Sequence, residues 1–175
     1  MNDPAVAARE AWIPEGVILS AFGVDRVVGA QDRMYWGPGD RYTFLVTGEE
    51  SGGSMFALDC LVGAGGGPPP HRHLAEDELF YIVQGEISFT AIAETRAVRA
   101  GESVFVARGT PHSYRNVGGA PARMVAVYTP SGMEGWFREV FTPVEDPTAD
   151  PPPVTPELVQ RMLEAGPRYN VEWLE

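Results

Sequence analysis

The sequence predicts an all-β fold, a sandwich or barrel of short strands, and three observations carry that prediction. Apolar residues alternate with polar ones over runs of four to eight residues; glycine pairs and singles punctuate the runs; and no helix-period segment separates them before residue 131. Thr43–Thr47 and Met55–Val62 read as the first strands, the second setting Phe56, Leu58, Cys60 and Val62 against Met55, Ala57, Asp59 and Leu61. Leu79–Val83 and Glu86–Thr90 flank Gln84-Gly85, which reads as a tight hairpin with glycine at the unusual backbone angle. Ser103–Ala107 and Arg123–Thr129 follow as strands, with turn signals at Gly52-Gly53, Ala100-Gly101 and Gly118-Gly119. No internal repeat is long enough to suggest two copies of a domain.

Beyond residue 130 the pattern changes. Ser131 and Glu134 have the spacing of a capping box, Ser131 as N-cap, and Met133, Trp136, Phe137, Val140 and Phe141 fall on one helical face. Asp146–Pro156 holds five prolines and predicts an extended surface linker. A second helix opens with Thr155 and Pro156, presents Leu158, Val159, Met162 and Leu163, and stops at Gly166-Pro167. Both helices need an apolar surface to rest on, either outside the sheets or across an open end of them.

Composition removes several functions. The 175 residues suit one domain, and a formal charge of −11 disfavours nucleic acid and anionic membranes as partners. All 13 basic residues are arginine, which excludes lysine Schiff-base chemistry and a P-loop lysine. Arginine without lysine, with much Ala, Gly and Pro, also suggests a GC-rich genome. No apolar run is long enough to span a membrane, and Asp3, Arg9 and Glu10 occupy the stretch a secretory signal would fill, so a cytoplasmic protein is expected. Cys60 is the single cysteine and reads as a buried, inert thiol.

The chain has three histidines, and two of them form His71-Arg72-His73. On an extended segment residues i and i+2 share a face, so both imidazoles can reach one point. Glu78 shares its strand face with Phe80 and Ile82, and a neighbouring strand can carry His112 to the same point. Three imidazoles and a carboxylate suit a divalent transition metal and leave coordination positions open. The residues alone leave other readings standing: the histidines as ordinary core or surface residues, and Glu76 or Asp77 sharing the acidic role.

The glycine frame narrows this. Gly65, His71, His73, Glu78 and Gly85 form one spaced pattern, and Gly101, Ala107, Gly109, His112 and Asn116 a second. Here the sequence resembles the cupin superfamily, departing from its motifs at Ala107, where proline is usual. The resemblance implies a jelly-roll β-barrel of two antiparallel sheets, with His71, His73, Glu78 and His112 as metal ligands. Residues 1–130 would form the barrel with an N-terminal extension, and 131–175 a helical extension of the same domain. It also implies a homodimer.

The stretch GGGPPPHRHLAEDELFYIVQGEISF is similar to that of single-domain bacterial quercetinase-like cupins. That implies metal-dependent cleavage of a flavonol or related polyphenol or polyketide by O2, with Glu78 as both ligand and general base. The expected metal is Fe, Ni, Co, Mn or Cu, with Zn also able to bind. Phe80, Ile82, Tyr114, Trp136 and Phe137 are the expected substrate contacts, favouring an aromatic, largely neutral molecule. Arg72, Arg108 and Arg115 keep a carboxylate substrate in play. Two rivals share the scaffold: a non-oxygenase isomerase, cyclase or decarboxylase of a natural-product pathway, and a metal- or ligand-sensing module without turnover.

Overall fold

Two antiparallel sheets face each other around one apolar core in the computed structural model, which describes residues 33–174. The reading of the N-terminus lies outside those residues. The strands, in chain order, are β1 (Met34–Trp36), β2 (Arg41–Val46), β3 (Phe56–Val62), β4 (His71–His73), β5 (Asp77–Gln84) and β6 (Glu86–Ala91). They continue as β7 (Glu94–Arg99), β8 (Ser103–Val106), β9 (His112–Arg115), β10 (Ala122–Thr129), β11 (Thr142–Pro143) and β12 (Val171–Trp173). One sheet has the order β11-β1-β2-β3-β10-β5-β8, the other β12-β4-β9-β6-β7. This is the expected jelly roll.

Alternation builds the core. Phe56, Leu58, Cys60 and Val62 of β3 point inward and are buried, as are Ala122, Met124, Ala126 and Tyr128 of the paired β10. Ile87, Phe89 and Val98 close the space from the opposite sheet. Each large side chain so buried contributes about 1.5–3 kcal/mol of transfer free energy. Asn116 ends the second glycine-framed pattern inside the fold, its amide donating to the carbonyls of Val62 and Ala120.

The hairpin expected at Gln84-Gly85 is not one. β5 pairs with β10 and β8, whereas β6 pairs with β7 and β9, so the chain passes from one sheet to the other at this point. Gly85 adopts φ 84°, and a Cβ there would lie 3.0 Å from the Ala122 Cβ. Glycine is needed, but for a corner against β10 rather than for a two-residue turn. The local signal of the two is the same.

The C-terminal segment does more than rest on the barrel. Helix α1 (Glu134–Val140) buries Trp136, Phe137 and Val140 as the periodicity requires. Its capping differs from the expectation: Met133 is the N-cap, and no side chain caps it. Glu134 instead accepts from the backbone N–H of Gly132 and of Gly48, tying the helix start to the turn after β2. Helix α2 (Pro156–Ala165) starts as expected, with the Thr155 hydroxyl accepting from the Leu158 N–H. Of its anticipated apolar face, Met162 is buried, while Val159 and Leu163 remain exposed. The flanking β11 and β12 then extend one edge of each sheet.

Candidate metal centre

The three histidines come from one sheet and the carboxylate from the other. β4 presents His71 and His73 on its inner face, and His112 of β9 stands directly opposite His71 in the ladder. Ring centroids of His71 and His112 are 4.3 Å apart, and those of His71 and His73 5.1 Å. Glu78 faces them from β5. All four residues are buried, and one ligand atom from each lies within 4.8 Å of every other. β4 reaches this position because the preceding loop crosses close over β9. Gly67, at φ 131°, is needed there, since a Cβ would lie 2.1 Å from the Tyr114 carbonyl oxygen.

The ring orientations are set by backbone carbonyls. Nδ1 of His71 lies 2.9 Å from the Pro69 oxygen, and Nδ1 of His112 lies 3.0 Å from the Thr110 oxygen. A neutral imidazole donating from Nδ1 keeps its lone pair on Nε2, the form a metal requires. Burial foremost, then the neighbouring His112 and His73, lowers the His71 pKa to about 3, so this ring is neutral at physiological pH. Burial pushes Glu78 upward, but the close approach of His112 and the electrostatic pull of His73 and His112 outweigh it and hold the carboxyl below its usual range. For His112 the balance reverses: burial pulls it down, and Glu78 raises it further than that.

The donor set fits a metal. The His112 Nε2 and a Glu78 oxygen approach to 2.8 Å, yet neither atom has a hydrogen bond of acceptable geometry, although both are buried. Buried polar atoms left this way are costly unless something bonds them. Nitrogen and carboxylate donors of this number suit a divalent first-row transition ion.

Beside the cluster is a cavity of about 40 Å³, walled largely by aromatic rings. Of the expected contacts, Phe80, Tyr114, Trp136 and Phe137 line it. Ile82 does not; it lies two residues deeper on the same strand face and is fully buried in the core. Tyr42, Tyr128, Met133 and Trp173 also line it and were not anticipated. Tyr128 pairs with Glu78 across β10 and β5, and Trp173 pairs with His71 across β12 and β4. Only cross-strand register places these two, and nothing local in the sequence signals it. Among the described residues no arginine lines the cavity. Arg72 points outward to Glu172, and Arg108 is ion-paired with Asp77 at the surface.

A two-sheet barrel with a buried three-histidine, one-carboxylate cluster at one end defines a class: small β-barrels built around a metal-binding centre. Residues 58–128, which include all four clustered side chains, match the Cupin domain family. The chain is 34% identical over 111 residues to oxalate oxidase 1 of Hordeum vulgare, covering 58% of this chain and 53% of that one. It therefore spans about half the length of the curated relatives it matches. A structure titled as a predicted oxalate decarboxylase from Thermotoga maritima superposes with a TM-score of 0.56 at 21% identity, covering 60% of this chain and 99% of that one. A polyketide cyclase from Streptomyces resistomycificus gives 0.52 at 24% identity, covering 61% and 80%. Both structural likenesses establish a shared fold.

Proposed function

We propose that this protein is a metal-dependent dioxygenase of the quercetinase type, oxidising an uncharged, enolisable aromatic substrate with O2. The observation that carries the reading is the pairing of a buried His71, His73, Glu78 and His112 cluster with an aromatic cavity that, among the described residues, no arginine lines. Among the described residues a dianionic substrate would find no counter-charge there apart from the centre itself, whereas a phenol or enol needs none. A divalent metal bound by the four side chains would act as a Lewis acid toward an oxyanion on the substrate. Glu78, ionised and without a hydrogen bond on one oxygen, is placed to take the substrate's hydroxyl proton. Phe80, Tyr114, Trp136 and Phe137 would stack against the ring and keep water out.

The cavity volume favours a second reading. About 40 Å³ suits a molecule of few atoms, whereas drug-sized ligands occupy pockets of about 300 Å³ or more. Admission of a flavonol therefore needs the wall formed by Met133, Trp136 and Phe137 to move outward. A small acid, such as the oxalate in the name of the barley relative, needs no such movement.

Oxygen uptake separates these readings. Protein loaded separately with Fe, Ni, Co and Mn is expected to consume O2 with quercetin or a polyketide phenol, matched by loss of the phenol's absorbance. Uptake with oxalate alone selects the small-acid reading. A changed product without uptake selects an isomerase, cyclase or decarboxylase, and ligand binding with no product selects a sensing module.

A homodimer is also proposed. Leu79, Tyr81 and Phe105 are 41%, 46% and 66% exposed on the outer face of the larger sheet, where Leu79 and Phe105 are register partners. This apolar patch, bordered by the Arg123–Asp59 and Arg108–Asp77 ion pairs, gives two copies of a strongly acidic chain a place to meet away from unpaired charge. Light scattering is expected to give twice the 19.0 kDa chain mass.

A further inference from the structure

We propose that Glu76 is a positioning residue for the metal centre, its buried carboxylate accepting the Nδ1 proton of His73. The inference rests on reading the four-residue cluster as a metal site, and it concerns a residue outside that cluster. His71 and His112 give Nδ1 to the carbonyl oxygens of Pro69 and Thr110, each two residues away in the chain. His73 has no such carbonyl. Its Nδ1 is buried without a hydrogen bond, and so is Oε2 of Glu76; the two atoms are 3.8 Å apart and both side chains are 4% exposed. A small rotation of ring or carboxylate closes that distance.

The tautomer follows from the opposite end of the ring. His73 Nε2 lies 3.4 Å from a Glu78 oxygen and faces the cluster, so a ring acting as ligand through Nε2 carries its proton on Nδ1. That proton needs a buried acceptor, and Glu76 supplies one. A carboxylate also makes the ring a stronger donor than a carbonyl does, because its charge favours electron release toward the metal.

The local fold makes room for this. Glu76 just precedes β5, and Gly132 lies against it, where a Cβ would come within 3.1 Å of the Glu76 carboxylate. Gly132 opens the turn into α1, whose residues wall the cavity. The neighbouring Asp77 points away to Arg108 at the surface. Three consecutive acidic residues therefore have three different partners.

Titration of the protein with Co(II) against a competing chelator, with the visible d–d absorption recorded, tests this. Glu76→Ala is expected to weaken Co(II) binding about 10- to 100-fold and to shift the absorption. Glu76→Gln, which keeps an acceptor oxygen without its charge, is expected to recover part of the affinity and the spectrum. Far-UV circular dichroism checks that each variant folds, and should the alanine variant fail, the glutamine variant against wild type carries the test. Affinity and spectrum unchanged in the variants overturn the proposal. So does an equal loss in both with no spectral shift, which would assign Glu76 to packing alone. Wild-type protein that binds no Co(II) overturns the metal reading beneath it.

Discussion

Replacing Glu78 by glutamine is expected to abolish turnover while leaving part of the metal in place. The substitution keeps the shape of a side chain that is 2% exposed and retains one oxygen able to face the cluster. It removes the charge and the basicity. Loss of a general base costs about 10²–10⁴-fold in rate, so activity per bound metal should fall by at least that range. The pH dependence has a definite sign. Because the histidines hold Glu78 below the usual carboxylate range, the base is in its active, ionised form at neutral pH and is lost only as the solution becomes acidic. The wild-type rate should therefore decline on the acid side, and that limb should be missing from whatever rate the variant retains. Oxygen uptake normalised to metal content checks both points. Turnover equal to wild type would remove Glu78 as the base.

His112→Ala should lose the metal itself. His112 is the sole cluster member from the second glycine-framed pattern, and its Nε2 lies 2.8 Å from Glu78, closer than the 3.4 Å of His73 Nε2. Outer-shell substitutions weaken metal binding by about 10- to 100-fold, so loss of a direct ligand should exceed about a hundredfold and abolish turnover. Removing this partner also leaves Glu78 a buried carboxylate with less compensation. Breaking a buried pair costs about 3–5 kcal/mol when the remaining charge cannot relax. Here protonation of Glu78 gives it a way to relax, so the barrel is expected to stay folded. Metal analysis after dialysis and a circular dichroism melt measure the two effects. Full metal content with full activity would exclude His112 from the ligand set.

The sequence was legible wherever one face of a segment carries the core. β3, β5 and β10 alternate strongly, and the structure places them within two residues of their expected limits. β7 was missed because Glu94–Arg99 buries a single side chain, Val98, and so has no apolar rhythm. Its hairpin with β6 was hidden as well: the turn is Ile92-Ala93, with Ile92 at φ 59°, a residue that carries no turn signal. β11 and β12 are two and three residues long and owe their place to the strands they meet. Gly85 shows the reverse error, since a positive φ marks a change of direction without saying which sheet the chain enters next.

The candidate site divides in the same way. His71 and His73 share a face by their spacing alone, whereas Glu78 meets them from the opposite sheet and is singled out from Glu76 and Asp77 only by the glycine-framed pattern. Tyr128 and Trp173 reach the cavity only through pairing with β5 and β4, so they become visible once register is known.

The connections from β4 to β5 (residues 74–76) and from β8 to β9 (residues 107–111) put Glu78 and the histidines in opposite layers. A metal held by all four would cross-link the two sheets as a staple does, with three points of attachment on one and a single one on the other. Occupancy and cohesion of the barrel would then be one equilibrium: an ion bound only by the folded chain, at a thousand times its Kd, adds about 4 kcal/mol of stability. The sheets could not part to enlarge the cavity without breaking those bonds. α1 carries no ligand, so its wall is free to yield, and a route for anything bulky runs past Trp136 and Phe137.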